Sequence, residues 1–429
     1  MRKVIGTIEE APNKEYLEFS FVGDNATGKG LNQKFIMEAM PELGCFKCTE
    51  GRIGIRVGPH KPKSWTCLME DWDMVYSIRI AKGWQLIGTK KIEKREIKHE
   101  GFGLDGVTYK LIEEKETADI VQRLLEAASK LIEESYTTKI DNISPEMMAR
   151  GKEILKKLAA GENMSIAAFN NLLKQLFSVI PRRIDNLSKS LATRTMDFGK
   201  IVEKEQELYE VLCDQLKMSN SNASSKQKTV IEAFGLEWRL ATPEERAYAV
   251  SLMNEKNRKQ VVNVWRVKNQ NTEARFNEWC EEHIYSEGNG ISHLFHGSPM
   301  ANWWSIITNG LWIRPGLNGG MFGPGLYFAP ESDKSMGYTG YGCWRGEGET
   351  RGYLSISKVA TGNPFWYYKN NGSSEDMSLD AMKRRGTDCI WAEGSYTHKN
   401  SSLRRDEVII YDDAQSTIEY LIETTSTGY

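Results

Sequence analysis

The sequence has no long apolar run, little cysteine and almost no net charge, and each shortage narrows the reading. The longest stretch free of Asp, Glu, Lys and Arg covers residues 288–313. It is long enough to cross a bilayer, yet His, Asn, Ser, Pro and Gly are scattered through it, which argues for a folded site region rather than a membrane helix. Met1-Arg2-Lys3 is followed by no apolar core of useful length, so no secretory signal is expected. Seven cysteines in 429 residues, an odd number without regular spacing, exclude a disulfide scaffold and suit a reducing intracellular compartment. A net charge of −2, from 56 basic and 58 acidic residues, does not suit a protein that coats nucleic acid non-specifically. The average hides a small asymmetry: residues 1–110 hold 18 basic and 15 acidic residues, the remainder 38 and 43. No internal repeat is present.

What is there is an ordinary globular mixture. Hydrophobic residues make up 40% and charged residues 27%, enough apolar surface to exclude a disordered chain. The length suggests two or three domains. Residues 1–110 read as mostly β, with strands at 16–22, 35–37 and 45–49, a turn at 51–54, a helix from about Trp65 to Lys82 and a strand at 83–88. Residues 112–217 read as an amphipathic helical bundle. Val121, Leu124, Leu125, Ala128, Leu131 and Ile132 recur at helical spacing. Ser144 is an N-cap with Pro145 and Glu146 in the first turn, and Gly161 follows the end. Further helices are expected over 165–179 and 199–216. The segment 219–225, of Ser, Asn and Ala, reads as a linker. Beyond it, strands are expected at 261–267, 326–328, 353–359 and 407–411.

The chemistry concentrates in four blocks. They are His293-Leu294-Phe295-His296-Gly297-Ser298, then residues 320–329 (GMFGPGLYFA), then Lys334-Ser335-Met336-Gly337-Tyr338, then residues 406–415 (DEVIIYDDAQ). Singly, each has a plain explanation. His296 suits a turn, Tyr327 and Tyr338 suit packing, and Glu407 suits a strand end. Together and in this order they resemble the catalytic domain of the poly(ADP-ribose) polymerase family, and the stretches 267–276 and 352–362 are also similar to it. The resemblance covers about residues 226–429 and implies an α+β ADP-ribosyltransferase domain.

The resemblance implies transfer of ADP-ribose from NAD to an acceptor with release of nicotinamide, and no metal. The breaking glycosidic bond passes through an oxocarbenium-like state, which needs a flat, oriented nicotinamide and negative charge near the ribose. Carried onto this sequence, the Gly297 backbone and the Ser335 hydroxyl hold the carboxamide, Tyr338 stacks on the nicotinamide and Tyr327 walls the pocket. His296 bonds the adenosine ribose, Ser298 lies on the adenine side, and Glu407 bonds the nicotinamide ribose. Met321 and Arg405 fall on the acceptor side. Three positions depart from the polymer-forming branch: Trp312 where Arg is frequent, Pro324 where Lys is frequent, and Arg405 where Tyr is frequent. Those departures bear on chain elongation, so mono-ADP-ribosylation stays open.

Residues 112–217 resemble the helical regulatory domain of the DNA-damage-responsive members, which covers the NAD site until an activator loosens it. Residues 1–110 resemble, more distantly, the β-rich WGR domain of the same members. The signals are residues 32–37 and 50–54, Trp65 and Lys82-Gly83-Trp84. Glu50 replaces the naming Trp, while Arg52 keeps the Arg that touches nucleic acid and the helical domain. The resemblance implies damaged DNA, at nicks or ends, as activator. It also implies protein acceptors including the chain itself, and a nuclear location in a eukaryote or a cytoplasmic one in a bacterium. Two alternatives stay open: activation by a protein or RNA ligand, and a silent NAD- or ADP-ribose-binding module. Cys45, Cys48, His60 and Cys67 make a weak zinc candidate, because positions 45 and 48 of a strand face opposite ways; buried free thiols are the preferred reading. The basic run 90–98 reads as a solvated face.

Overall fold

The computed structural model describes residues 8–24, 30–52, 62–89, 109–138, 140, 143–161, 163–184, 187–219, 228–314, 316, 320–344, 349–368 and 376–426. The chain divides into two compact units. One comprises Met1–Glu96 and Leu131–Leu208, the other Ile97–Lys130 and Tyr209–Tyr429.

The first unit is built on an antiparallel sheet of five strands: β1 (Tyr16–Asp24), β2 (Gly30–Met40), β3 (Cys45–Arg52), β4 (Lys63–Leu68) and β5 (Gln85–Gly88), in the order β4-β3-β2-β1-β5. Helix α1 (Trp72–Ala81) follows β4. Alternate residues of the strands, Leu17, Phe19, Phe35, Met37 and Phe46, join Trp72 and Trp84 in one apolar core. The sequence pattern fails at Trp65, which stands in β4 rather than in a helix. That strand is held by its ladder to β3, with Cys48 opposite Trp65, and a long-range ladder leaves no local period to read. Gly51 and Arg52 continue β3 instead of turning, while residues 53–54 and the Arg52 side chain lie outside the described residues.

Helix α2 (Lys115–Ser135) contributes to both units. Helices α3 (Pro145–Ala159) and α4 (Ile166–Val179) belong to the first. Ser144 caps α3, accepting from the Met147 amide, and Ser165 caps α4, accepting from the Ala168 amide. The α4 face packs on the sheet, and the Ser178 hydroxyl accepts from the Val22 amide at 3.0 Å. Next come the short α5 (Leu187–Ser190) and the long α6 (Phe198–Ser219), the latter again shared between the units. Phe169 of α4 stacks on Phe198 at 3.8 Å. Residues 90–98 and 220–225, assigned above to a basic face and a linker, lie outside the described residues.

The second unit holds two sheets. The larger has the order β6-β7-β15-β11-β9-β8, from β6 (Leu236–Leu240), β7 (Val261–Asn269), β8 (Ser286–Glu287), β9 (Gly290–Ser298), β11 (Arg351–Ala360) and β15 (Ser416–Thr425). The smaller has the order β10-β14-β13-β12, from β10 (Leu326–Phe328), β12 (Pro364–Tyr367), β13 (Cys389–Ala392) and β14 (Glu407–Ile410). Helices α7 (Val230–Ala233), α8 (Pro243–Leu252), α9 (Glu255–Arg258), α10 (Gln270–His283), α11 (Trp303–Asn309), α12 (Ser332–Met336) and α13 (Leu379–Arg385) complete an α+β domain. A core between the sheets unites Leu294, Leu326, Phe328, Val359, Val408 and Ile410.

Segments from the helical region dock on this domain within the same unit. Ile120, Val121, Leu124 and Leu125 of α2 pack with Trp303, Trp304, Trp265 and Leu421. Arg123 pairs with Glu423 at 2.5 Å, a carboxylate fully removed from solvent that also takes Arg351 and Asn263. Burial pushes the Glu423 pKa up, but Arg123, Arg351 and Asn263 overcome it and hold the carboxyl below its ordinary range. From α6, Glu210 binds Arg314 through two bonds of 2.8 Å, and Asp214 accepts from Asn309 at 2.8 Å. No helix among the described residues is long and apolar enough to cross a membrane.

Candidate functional site

Strand β10 is the junction of the two sheets. Its register with β14 sets Phe328 opposite Val408, which brings Glu407 level with Ala329. Ala329 in turn exchanges two backbone hydrogen bonds with Phe295 of β9, at 2.8 and 2.9 Å. Those two pairings draw the His296 block, the Tyr327 block and the Glu407 block to one place, although the chain separates them widely.

His296 donates from Nδ1 to the Tyr327 carbonyl at 3.0 Å, an assignment that follows because a carbonyl can only accept. Imidazole Nε2 is then the acceptor end of the ring. Gly297 is required by contact rather than by backbone angle: a Cβ there would come within 1.9 Å of the Ser335 carbonyl oxygen. The α12 backbone thus lies directly on β9. Ser298 is buried, its hydroxyl accepting from the Asn302 side chain at 3.1 Å. Ser335 is buried on α12.

Tyr327 closes its own loop. Its hydroxyl accepts from the Phe322 amide and donates to the Gly323 carbonyl, both at 2.8 Å, so the ring and the 320–325 segment form one wall. Met321 on that segment is about half exposed, and Trp312 is also at the surface. Tyr338 follows α12 and lies against Trp344 at 5.0 Å between ring centroids.

Glu407 opens β14 and is buried, with Lys334 Nζ at 2.5 Å from its Oε1. Lys334 is itself buried and points its ammonium toward the Trp344 ring, 5.8 Å from the centroid. Neither Lys334 as a partner of Glu407 nor Trp344 beside Tyr338 stands out in the amino-acid sequence. The adjacency of Lys334 to Ser335 within a motif was the available signal. Trp344 carried none. Arg405 pairs with Asp333 at 2.7 Å and also with Glu331, while its guanidinium lies 4.8 Å from the Tyr396 ring centre.

In the first unit Glu50 pairs with Arg79 at 2.8 Å, and the Arg79 guanidinium rests 3.6 Å above the Phe35 ring. Cys48 is buried, and burial foremost pushes its thiol up to about 12, which disfavours the thiolate that zinc requires. Cys45 and Cys67 are half-buried, and His60 lies outside the described residues. Among the described residues no group of three His, Cys, Asp or Glu is arranged to hold a metal ion.

Residues 246–426 match the family model of the poly(ADP-ribose) polymerase catalytic domain. The chain is similar to the protein mono-ADP-ribosyltransferase PARP3 of Gallus gallus, 24% identical over 381 residues that cover 78% of this chain and 67% of that one. It is 43% identical to poly [ADP-ribose] polymerase 2 of Homo sapiens over 153 residues, 30% of this chain and 26% of the human one. It is 28% identical to poly [ADP-ribose] polymerase of Drosophila melanogaster over 182 residues, 38% of this chain and 17% of the fly protein. The chain therefore spans about two thirds of the first of these relatives, 26% of the second and 17% of the third.

Proposed function

We propose that this chain belongs to the poly(ADP-ribose) polymerase family, a reading supported by the match over residues 246–426, and that the junction around β10 carries its reaction, with Glu407 at the centre. The chain is an NAD-dependent ADP-ribosyltransferase. The observation that carries the assignment of the site is the register of β10, which gathers His296, Tyr327 and Glu407 around one strand.

In the proposed step the bond between ribose C1′ and the nicotinamide nitrogen breaks, and its electron pair leaves with nicotinamide. The acceptor oxygen then adds to C1′ and its proton passes to solvent water. Gly297 and Ser335 orient the carboxamide, with Tyr338 against the ring. Nε2 of His296 accepts from a ribose hydroxyl on the adenosine side. The Glu407 carboxylate bonds the nicotinamide ribose and faces the positive charge that develops at C1′, where fixed charge in a dry site is worth most. Lys334 anchors one oxygen of Glu407 and so fixes how the carboxylate points. Ser298 and Met321 border the adenine and acceptor sides.

The regulatory reading extends this. Residues 1–110 act as a WGR-like module with Arg52 toward nucleic acid, residues 112–217 as the helical regulator, and residues 226–429 as the transferase. Damaged DNA is the proposed activator, protein side chains including the chain's own are the acceptors, and the nucleus is the proposed location in a eukaryote. A second reading, activation by a protein or RNA ligand, is favoured by Glu50 at the position of the stacking Trp.

The test is nicotinamide release from NAD with and without nicked duplex DNA, for the wild type and for Glu407→Ala. Release that rises with DNA and falls by about 10²-fold or more in Glu407→Ala supports both halves. Release indifferent to DNA at every salt concentration removes the DNA reading and leaves the enzyme. Full release by Glu407→Ala overturns the site.

A further inference from the structure

Helix α12 has five residues, too few to hold itself without outside contacts. Its N-terminal end is fixed by the α8–α9 turn. Asn254 Oδ1 accepts from the Asp333 amide at 3.0 Å, Asn257 donates to the Asp333 carboxylate at 2.6 Å, and Lys256 Nζ lies 2.7 Å from that carboxylate. Its far side lies on β9 through the Gly297–Ser335 approach. A third anchor joins it to β14. Neighbours Asp333 and Lys334 on the helix meet Arg405 and Glu407 on the strand entry, acid to base at 2.7 Å and base to acid at 2.5 Å. Glu331 adds a second carboxylate to Arg405.

From this two-rung clasp we infer that Arg405 is a positioning residue, which through Asp333 sets Lys334 on Glu407, and that it does not contact the acceptor. The inference rests on the reading of Glu407 given above. The Arg405 side chain is 19% exposed, and its guanidinium faces two carboxylates and the Tyr396 ring. A guanidinium engaged so fully has little left to offer an incoming acceptor. Removing it leaves Asp333 paired with Lys256 and Asn257, so the start of α12 stays in place. What is lost is the rung beside Lys334–Glu407. The carboxylate that must face C1′ is then less well aimed, and small errors of aim are costly in rate.

The experiment separates this role from acceptor binding by following two fates of NAD in the full chain. In hydrolysis, water adds to C1′ as nicotinamide leaves, giving free ADP-ribose; in transfer, the chain's own side chains take its place. Arg405→Ala is expected to lower both rates by the same factor, about tenfold, with KM for NAD within twofold and most of the loss recovered in Arg405→Lys. If transfer falls while hydrolysis is untouched, Arg405 serves the acceptor and the inference fails. Unchanged rates for both also overturn it. Should Arg405→Ala not fold, Arg405→Gln is read by the same criteria. Glu407→Ala runs alongside: if it keeps its turnover, the reading of Glu407 fails whatever Arg405 does.

Discussion

Both regions of the molecule set a strand glutamate against a helical cation, and the two pairs differ in what surrounds them. In the N-terminal sheet Glu50 of β3 meets Arg79 of α1, whose guanidinium is stacked on Phe35 and lies 5.0 Å from the Trp84 ring centre. In the transferase domain Glu407 of β14 meets Lys334 of α12. The Glu50 side chain is 30% exposed, against 11% for Glu407. Arg79 is packed and paired as a structural cation, and the Phe35 and Trp84 rings it rests on belong to the core. Lys334 is a point charge on a flexible stem, carried by the helix that the missing Cβ of Gly297 lets onto β9. An ion pair alone does not mark a site. Burial together with a backbone approach that only glycine permits marks the second pair as different.

The comparison breaks most easily at Gly297. Alanine there places Cβ 1.9 Å from the Ser335 oxygen, and backbone on both sides must separate. A shift near 1 Å is enough for a loss of about 10²-fold in kcat/KM for NAD, with about 1–3 kcal/mol of stability lost to overpacking. Steady-state nicotinamide release and a thermal melt measure the two. Wild-type turnover in Gly297→Ala would mean that α12 has room to move and that close approach is not what distinguishes this pair.

How much of this the sequence disclosed depended on distance along the chain. Local signals were legible: Ser144-Pro145-Glu146 starts α3, Ser165 caps α4 and the period at Val121 to Ile132 is α2. The four motif blocks named the domain because their order survives without any knowledge of contacts. The edge strand around Trp65 was misread because it is held by its ladder to β3 rather than by any local period. The partners of Glu407 and Arg405 were illegible for the same reason, since Lys334 and Asp333 reach them only after two sheets have assembled. Likewise nothing in residues 145–179 announces that α4 lies on β1, a contact fixed by Ser178 and Val22.

A third acid–base pair sharpens the contrast at an intermediate cost. Glu423 is fully buried, and Arg123 from α2 is one of its two cations. Arg123→Ala leaves Arg351 in place, so the cost is about 2–3 kcal/mol, below the ~3–5 kcal/mol for a buried charge that loses its sole partner. The Glu423 pKa is held down in the folded chain, so its contribution is complete above the ordinary carboxylate range and is lost as pH falls through the lower folded value. Melts of the two proteins should therefore differ most near neutrality and converge toward pH 4 and below. A gap that stays constant with pH would show that packing of the Arg123 stem, rather than the charge, holds α2.

The smallest effect is expected at Glu50. In Glu50→Gln the carboxylate is lost, but Arg79 keeps its ring contacts and the strand ladder opposite Lys63 is untouched. A partly exposed ion pair of this kind is worth about 1 kcal/mol or less. Nicotinamide release without DNA should be unchanged, since the substitution leaves β9, β10, α12 and β14 as they are. Affinity for nicked duplex is the informative quantity. If Glu50 stood bare on a phosphate-binding face, removing its charge would tighten binding and steepen the salt dependence, because one repulsion among several phosphate contacts would vanish. With Arg79 neutralising it, affinity should move by less than about twofold and the salt slope should not change. A larger gain would place Glu50 among the ligand contacts, and the N-terminal pair would then belong to a binding surface rather than to the packing of its sheet.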